Sequence, residues 1–219
     1  MEFKVGCVLG YQCSGPATLL LAISPREEEG QRVVEESLQI NPELEREHFD
    51  DASGNRLIRL HSTGGKVEIG YQARVARTHS PDALRPTLSD DPGQLPPEVL
   101  PFLFPSRYCE SDRLVGLASQ LFGHLPLGYA TVEGLCDWIH EHVEYRYGTS
   151  DAHTSASDIV LQCVGVCRDF AHLGIAFCRA LGIPARFGAG YAYKLEPPDF
   201  HAWFEVYLSG KWYPFDATR

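Results

Sequence analysis

The chain is short of positive charge. Its 219 residues carry 19 Lys and Arg against 29 Asp and Glu, a formal net charge of -10. Nucleic acids and anionic membranes are held by clustered basic side chains, so neither is expected as a partner. A long apolar run is also missing. The longest, from Ala17 to Ile23, contains a threonine and is far too short to cross a bilayer. The opening Met1-Glu2-Phe3-Lys4 starts with an acid and lacks the apolar core of a secretory leader, so a cytoplasmic protein is expected. The seven cysteines include no Cys-x-x-Cys pair. An odd number without framework spacing excludes a disulfide scaffold and reads as free thiols, mostly small buried hydrophobes. A zinc site from Cys163, Cys167 and a histidine lacks the paired spacing, and no metal or other cofactor is expected. The chain has no internal repeat and no low-complexity segment.

What remains is ordinary globular material, 44% hydrophobic and 22% charged, enough for one large or two small domains. Up to about Val75 the pattern is strand-like. Phe3 to Val8 and Gly65 to Tyr71 alternate, and Thr18 to Ile23, Val33 to Leu38 and Leu57 to His61 are further short strands. Turn signals at Ser53-Gly54-Asn55 and Gly64-Gly65 separate some of them, which suggests an antiparallel β-sandwich over residues 1–79.

Residues 80–106 hold seven of the 15 prolines and read as a linker. Its apolar Val99, Leu100, Phe102, Leu103 and Phe104 imply that it packs against a protein surface. Helical periods follow over residues 107–219. Ser111-Asp112 is expected to cap one helix and Thr131 another, ahead of the tyrosine-rich Val143-Glu144-Tyr145-Arg146-Tyr147.

Three short stretches then carry chemistry. Gly165-Val166 precedes an amphipathic helix from about Cys167 to Leu181, with Phe170, Leu173, Phe177, Cys178 and Leu181 on one face and Gly182 and Pro184 as its stop. Cys167 falls in the first turn, where unpaired N–H groups and the positive dipole end favour a thiolate and can hold an oxyanion. Gly165 is expected to let a substrate carbonyl come close. Cys163 and Cys178 read as packing residues, and His172, mid-helix, as a structural histidine.

The second and third stretches are His201-Ala202-Trp203 and Phe215-Asp216-Ala217-Thr218. If Ser209-Gly210 is a two-residue hairpin turn, Leu208 pairs with Lys211 and Trp203 with Asp216. His201 then shares a face with Trp203 and is a diagonal neighbour of Asp216, within reach of a hydrogen bond. Pro214 points to an edge strand or a bulge. A cysteine opening a helix, a histidine opening a strand and an aspartate ending the next are the parts of a thiol acyl-transfer site.

Together these residues resemble the bacterial transglutaminase-like superfamily, relatives of the papain-like thiol enzymes. The resemblance rests on Gly165 to Leu173, on Leu181-Gly182-Ile183-Pro184-Ala185-Arg186 with Gly190-Tyr191, on His201 to Val206 and on Asp216-Ala217-Thr218. Gly15 to Leu21 is similar to the β-domain that precedes the core in many bacterial members. The resemblance implies an α+β fold, a β-sandwich domain followed by a transglutaminase/papain-like catalytic domain. It implies Cys167 as nucleophile, His201 as base and Asp216 as orienter. By analogy with related thiol enzymes, Tyr147, Tyr145 or Gln162 supplies a second oxyanion donor, and Trp203 walls the cleft. The expected activity is hydrolysis of an amide or peptide bond, with a peptide or protein as substrate. The alternatives are transamidation at glutamine and a non-catalytic binding module on the same fold.

Overall fold

A computed structural model describes residues 1–78 and 90–218. The chain separates into two compact units, Met1–Ala83 and Leu84–Arg219.

The first unit holds six strands: β1 (Glu2–Cys13), β2 (Ala17–Leu21), β3 (Gln31–Asn41), β4 (Arg46–Asp50), β5 (Arg56–Ser62) and β6 (Gly65–Arg77). They form two antiparallel sheets, ordered β1-β6-β3 and β2-β5-β4. Alternation along β6 buries Val67, Ile69, Tyr71, Ala73 and Val75, and β5 adds Ile58 and Leu60. Arg56 on β5 reaches Glu36 on β3 at 3.1 Å, and the buried Tyr71 hydroxyl donates to the same carboxylate at 2.6 Å. This ion pair joins the two sheets. Strand β4 was not foreseen. Its sequence, Arg46-Glu47-His48-Phe49-Asp50, has one apolar residue and no alternation, so only its pairing with β5 makes it a strand.

In the second unit the chain runs through α1 (Ser111–Phe122), α2 (Tyr129–His142), β7 (Glu144–Tyr145), α3 (Ala156–Gln162), β8 (Val164–Gly165) and α4 (Cys167–Ala180). Three strands follow, β9 (Ala185–Tyr191), β10 (Phe200–Leu208) and β11 (Lys211–Phe215), as an antiparallel sheet ordered β11-β10-β9. Both expected helix caps need correction. Ser111 lies inside α1 and is buried. The boundary residue is Glu110, whose carboxylate accepts from the Ser157 amide at 3.2 Å. Helix α2 starts two residues before Thr131, after Gly128 at φ 148°, and the Thr131 hydroxyl donates back to the Pro126 carbonyl at 2.7 Å.

Helix α4 is the centre of this unit. It was expected to bury one face, yet every residue from Asp169 to Cys178 is buried. The small Ala171, Gly174 and Ala176 let neighbours close in on the remaining sides. At Gly174 the approach is closest: an added Cβ would lie 2.5 Å from the Phe204 ring of β10.

Of the proline-rich stretch, residues 80–89 lie outside the described residues. The rest makes two short 3-10 turns, Pro92–Gln94 and Leu100–Leu103. Phe102 meets Trp212 edge-on at 5.1 Å, and Arg179 of α4 donates to the Phe104 carbonyl at 2.8 Å. This part of the stretch is packed against the second unit.

Candidate active site

The hairpin places the histidine and the aspartate. Ser209 and Gly210 both have positive φ (50° and 80°), the conformation a two-residue turn between twisted strands demands. Leu208 then pairs with Lys211 and Phe204 with Phe215, without a bulge. Pro214 is tolerated because β11 is an edge strand. Continued by one pair, this register sets Asp216 across from Trp203. His201 Nε2 and Asp216 Oδ2 lie 2.7 Å apart, with the side chains 21% and 25% exposed. The other carboxylate oxygen accepts from the Thr218 amide at 3.0 Å and the Thr218 hydroxyl at 2.7 Å.

These bonds settle the proton arrangement. Partial burial disfavours an ionised Asp216, but the bonds from His201 and Thr218 outweigh it and hold the carboxyl below its usual range. An ionised carboxylate only accepts, so Nε2 is the donor in this bond and Nδ1 is the ring nitrogen left away from Asp216.

The cysteine sits on a different element. Cys167 is the first residue of α4, partly buried, and the residue before it, Val166, is extended (φ -116°, ψ 177°). Upstream, β8 pairs in parallel with β7, through the Glu144 amide to the Cys163 carbonyl and the Arg146 amide to the Gly165 carbonyl, both 2.9 Å. That pairing sets Tyr145 opposite Gly165, beside the turn that leads into Cys167. Its phenol lies near Cys167, close enough for that residue's sulfur and backbone N–H to act on its titration. Burial raises the Tyr145 phenol above its usual range, and negative charge on the nearby sulfur reinforces the rise. Tyr145 therefore stays a protonated donor.

Of the three candidates for a second oxyanion donor, Tyr145 is the one brought to Cys167. Tyr147 is 57% exposed and packs edge-on against Tyr145 at 5.5 Å. Gln162 is exposed at the last residue of α3, and its side chain makes no hydrogen bond among the described residues. Trp203 shares the His201 face of β10 and lies over Gly188 and Gly190, where an added Cβ would meet the indole at 2.6 and 3.1 Å.

Gly165 needs a different explanation from the one expected. It is buried, and a Cβ there would come within 2.8 Å of the Asp169 Cβ and 3.2 Å of Ile159. Its missing side chain makes room for Asp169. Cys163, expected to pack inside, is exposed and ends α3 at φ 54°. His172 is buried and stacked on Tyr108, as a structural histidine should be. Among the described residues no group of three or more His, Cys, Asp or Glu is placed to hold a metal ion, and no helix is long and apolar enough to cross a membrane.

Comparison with known proteins accounts for both units. Residues 116–217 match the transglutaminase-like superfamily core, and residues 1–83 match the bacterial transglutaminase N-terminal domain. A crystal structure of a candidate cysteine protease from Cytophaga hutchinsonii is 42% identical, covers 100% of this chain and 77% of its own, and superposes with a TM-score of 0.93. The periplasmic domain of TgpA from Pseudomonas aeruginosa shares the fold at 18% identity and a TM-score of 0.52, over 100% of this chain and 70% of that one. An uncharacterised protein of Mycobacterium leprae is 36% identical over 90 residues, 37% of this chain and 32% of its own, so the match spans about a third of that relative. The chain belongs to the transglutaminase-like superfamily.

Proposed function

We propose that this chain is a thiol hydrolase that cleaves an amide or peptide bond through an acyl-enzyme at Cys167. The observation that carries the reading is the 2.7 Å bond between His201 Nε2 and Asp216, which supports a role for Asp216 in orienting the imidazole and for Nδ1 as the base. The Cys167 sulfur attacks the substrate carbonyl carbon while its proton passes to His201 Nδ1. The oxyanion is held by the Cys167 backbone N–H and the Tyr145 hydroxyl, a role supported by the influence Cys167 exerts on that phenol. Collapse expels the amine, which takes the proton from His201, and leaves a thioester. Water, deprotonated by the same imidazole, then releases the acid and regenerates the thiol. Seven cysteines without disulfide-framework spacing fit a reducing cytoplasm as its place of work.

The test is incubation with a peptide amide, with and without a primary amine, followed by mass spectrometry against a Cys167→Ala control. Cleavage or loss of ammonia supports hydrolysis. Cysteine-dependent incorporation of the amine would make the chain a transamidase. No product that depends on Cys167 would leave a binding module on this fold.

A further inference from the structure

One buried charge beside Cys167 has no part in that chemistry. Asp169, in the first turn of α4, is 0% exposed. Its Oδ2 accepts from the Val166 amide at 2.9 Å, and its Oδ1 accepts from Arg168 Nε and Nη2 at 3.3 and 3.1 Å. Arg168 Nη2 donates in addition to the Asp151 carbonyl, 2.6 Å away on the segment that follows Tyr145 and Tyr147. Gly165 lacks a Cβ where one would strike Asp169. A carboxylate at this depth costs several kcal/mol unless it is paired and hydrogen-bonded. An acid at the third helical position that accepts the boundary residue's own N–H is one half of a capping box, as Asp158 is with Ser155 at α3. Here the boundary residue is Val166, which has no side-chain acceptor to complete the box, and unlike the half-buried Asp158 the acid is wholly buried.

We infer that Asp169 is a positioning residue for the oxyanion site, an inference that rests on the reading of Cys167 as nucleophile. By taking the Val166 N–H it fixes the turn from β8 into α4, so that the next amide, that of Cys167, points at Tyr145. Through Arg168 it also ties that turn to the Asp151 segment. That segment follows β7, the strand that carries Tyr145.

Two reactions at Cys167 separate positioning from mere stability. Acetylation by p-nitrophenyl acetate forms a thioester, expels p-nitrophenolate and passes through an oxyanion. Alkylation by iodoacetamide forms a carbon–sulfur bond, expels iodide and has none. In the full chain, folded by circular dichroism, Asp169→Ala is expected to slow acetylation about tenfold and leave alkylation within about twofold. Asp169→Asn, which keeps an acceptor for the Val166 amide, should recover most of the loss. Equal slowing of both reactions, or of neither, overturns the inference. Should neither Asp169 variant fold, Arg168→Met carries the test: a smaller loss confined to acetylation supports positioning, and an unchanged ratio overturns it. Cys167→Ala and His201→Ala guard the underlying reading. A chain still acetylated in the Cys167→Ala variant, or a wild type that alkylates at Cys167 but never acetylates there, sinks the site itself and the positioning with it.

Discussion

His172 should make the second unit acid-sensitive in a defined window. The ring is 8% exposed, stacked on Tyr108 at 5.2 Å and 3°, and tilted against Phe187 at 5.2 Å. Its Nδ1 is buried without a hydrogen-bond partner. Burial first, and the Arg168 guanidinium second, push its pKa down from 6.5 to about 4, while Asp169 opposes the shift. The unfolded chain takes up a proton near 6.5 and the folded chain does not until about 4. Stability therefore falls as pH drops through this interval. Linkage gives a loss of about 2 kcal/mol between pH 7 and pH 5, and about 3 kcal/mol by pH 4. Carboxylates do not confuse the upper part of the window. Asp216 and Glu110 have lowered folded values, so their contributions are present above the unfolded values and are lost only at more acidic pH. All three tryptophans, Trp138, Trp203 and Trp212, belong to the second unit, so urea unfolding followed by tryptophan fluorescence reports on it. His172→Phe keeps the stacked ring and removes the titration. At pH 7 it should be no less stable than wild type, because an unpaired buried nitrogen disappears. Between pH 7 and pH 5 the wild type should lose about 2 kcal/mol that the variant keeps. Parallel pH profiles for the two proteins would refute the reasoning.

Asp216→Asn should lower turnover by about 10²- to 10⁴-fold with the fold intact, less than Cys167→Ala does, since an amide can hold the wrong imidazole tautomer. Wild-type turnover in the asparagine variant would mean that the bond to His201 does not serve the reaction. Tyr145→Phe should reduce the acylation rate by about 10²-fold with little change in KM, and an effect on KM alone would assign the phenol to substrate binding. Gly174→Ala pits helix propensity, about 1 kcal/mol in favour of alanine, against a Cβ placed 2.5 Å from a buried ring. The clash should win by about 1–2 kcal/mol, read as a lower urea midpoint, and a stabilised variant would show that Phe204 can move aside.

The elements read correctly in advance are those whose geometry is local. A two-residue turn at Ser209-Gly210 makes the register countable, and counting brings His201 to Asp216 across 15 residues without any knowledge of the core. The start of α4 is legible for the same reason, since Gly165-Val166 and the apolar spacing after Cys167 are adjacent in sequence. Strand β4 is not, because a polar pentapeptide becomes a strand only once β5 lies beside it. Tyr145 and Tyr147 were indistinguishable in sequence: both are tyrosines, two apart, and only the non-local pairing of β7 with β8 decides which phenol meets Cys167.

Asp169 is the instructive miss. Its signal was present, an acid three residues after a boundary residue that cannot accept a hydrogen bond, in a motif that also contains an otherwise unexplained glycine. Helical periodicity sorts residues by polarity alone, so it assigns an aspartate between Arg168 and Phe170 to the solvent face and stops there. Burial on all sides of α4 reverses that assignment. Once the helix is central, a polar residue in its first turn must be paired, and the partners that satisfy it are the Val166 amide and the Arg168 guanidinium, on either side of Cys167. The capping requirement and the proposed oxyanion site thus fall on the same five residues, Gly165 to Asp169, which is why neither Gly165 nor Asp169 can be understood without the other.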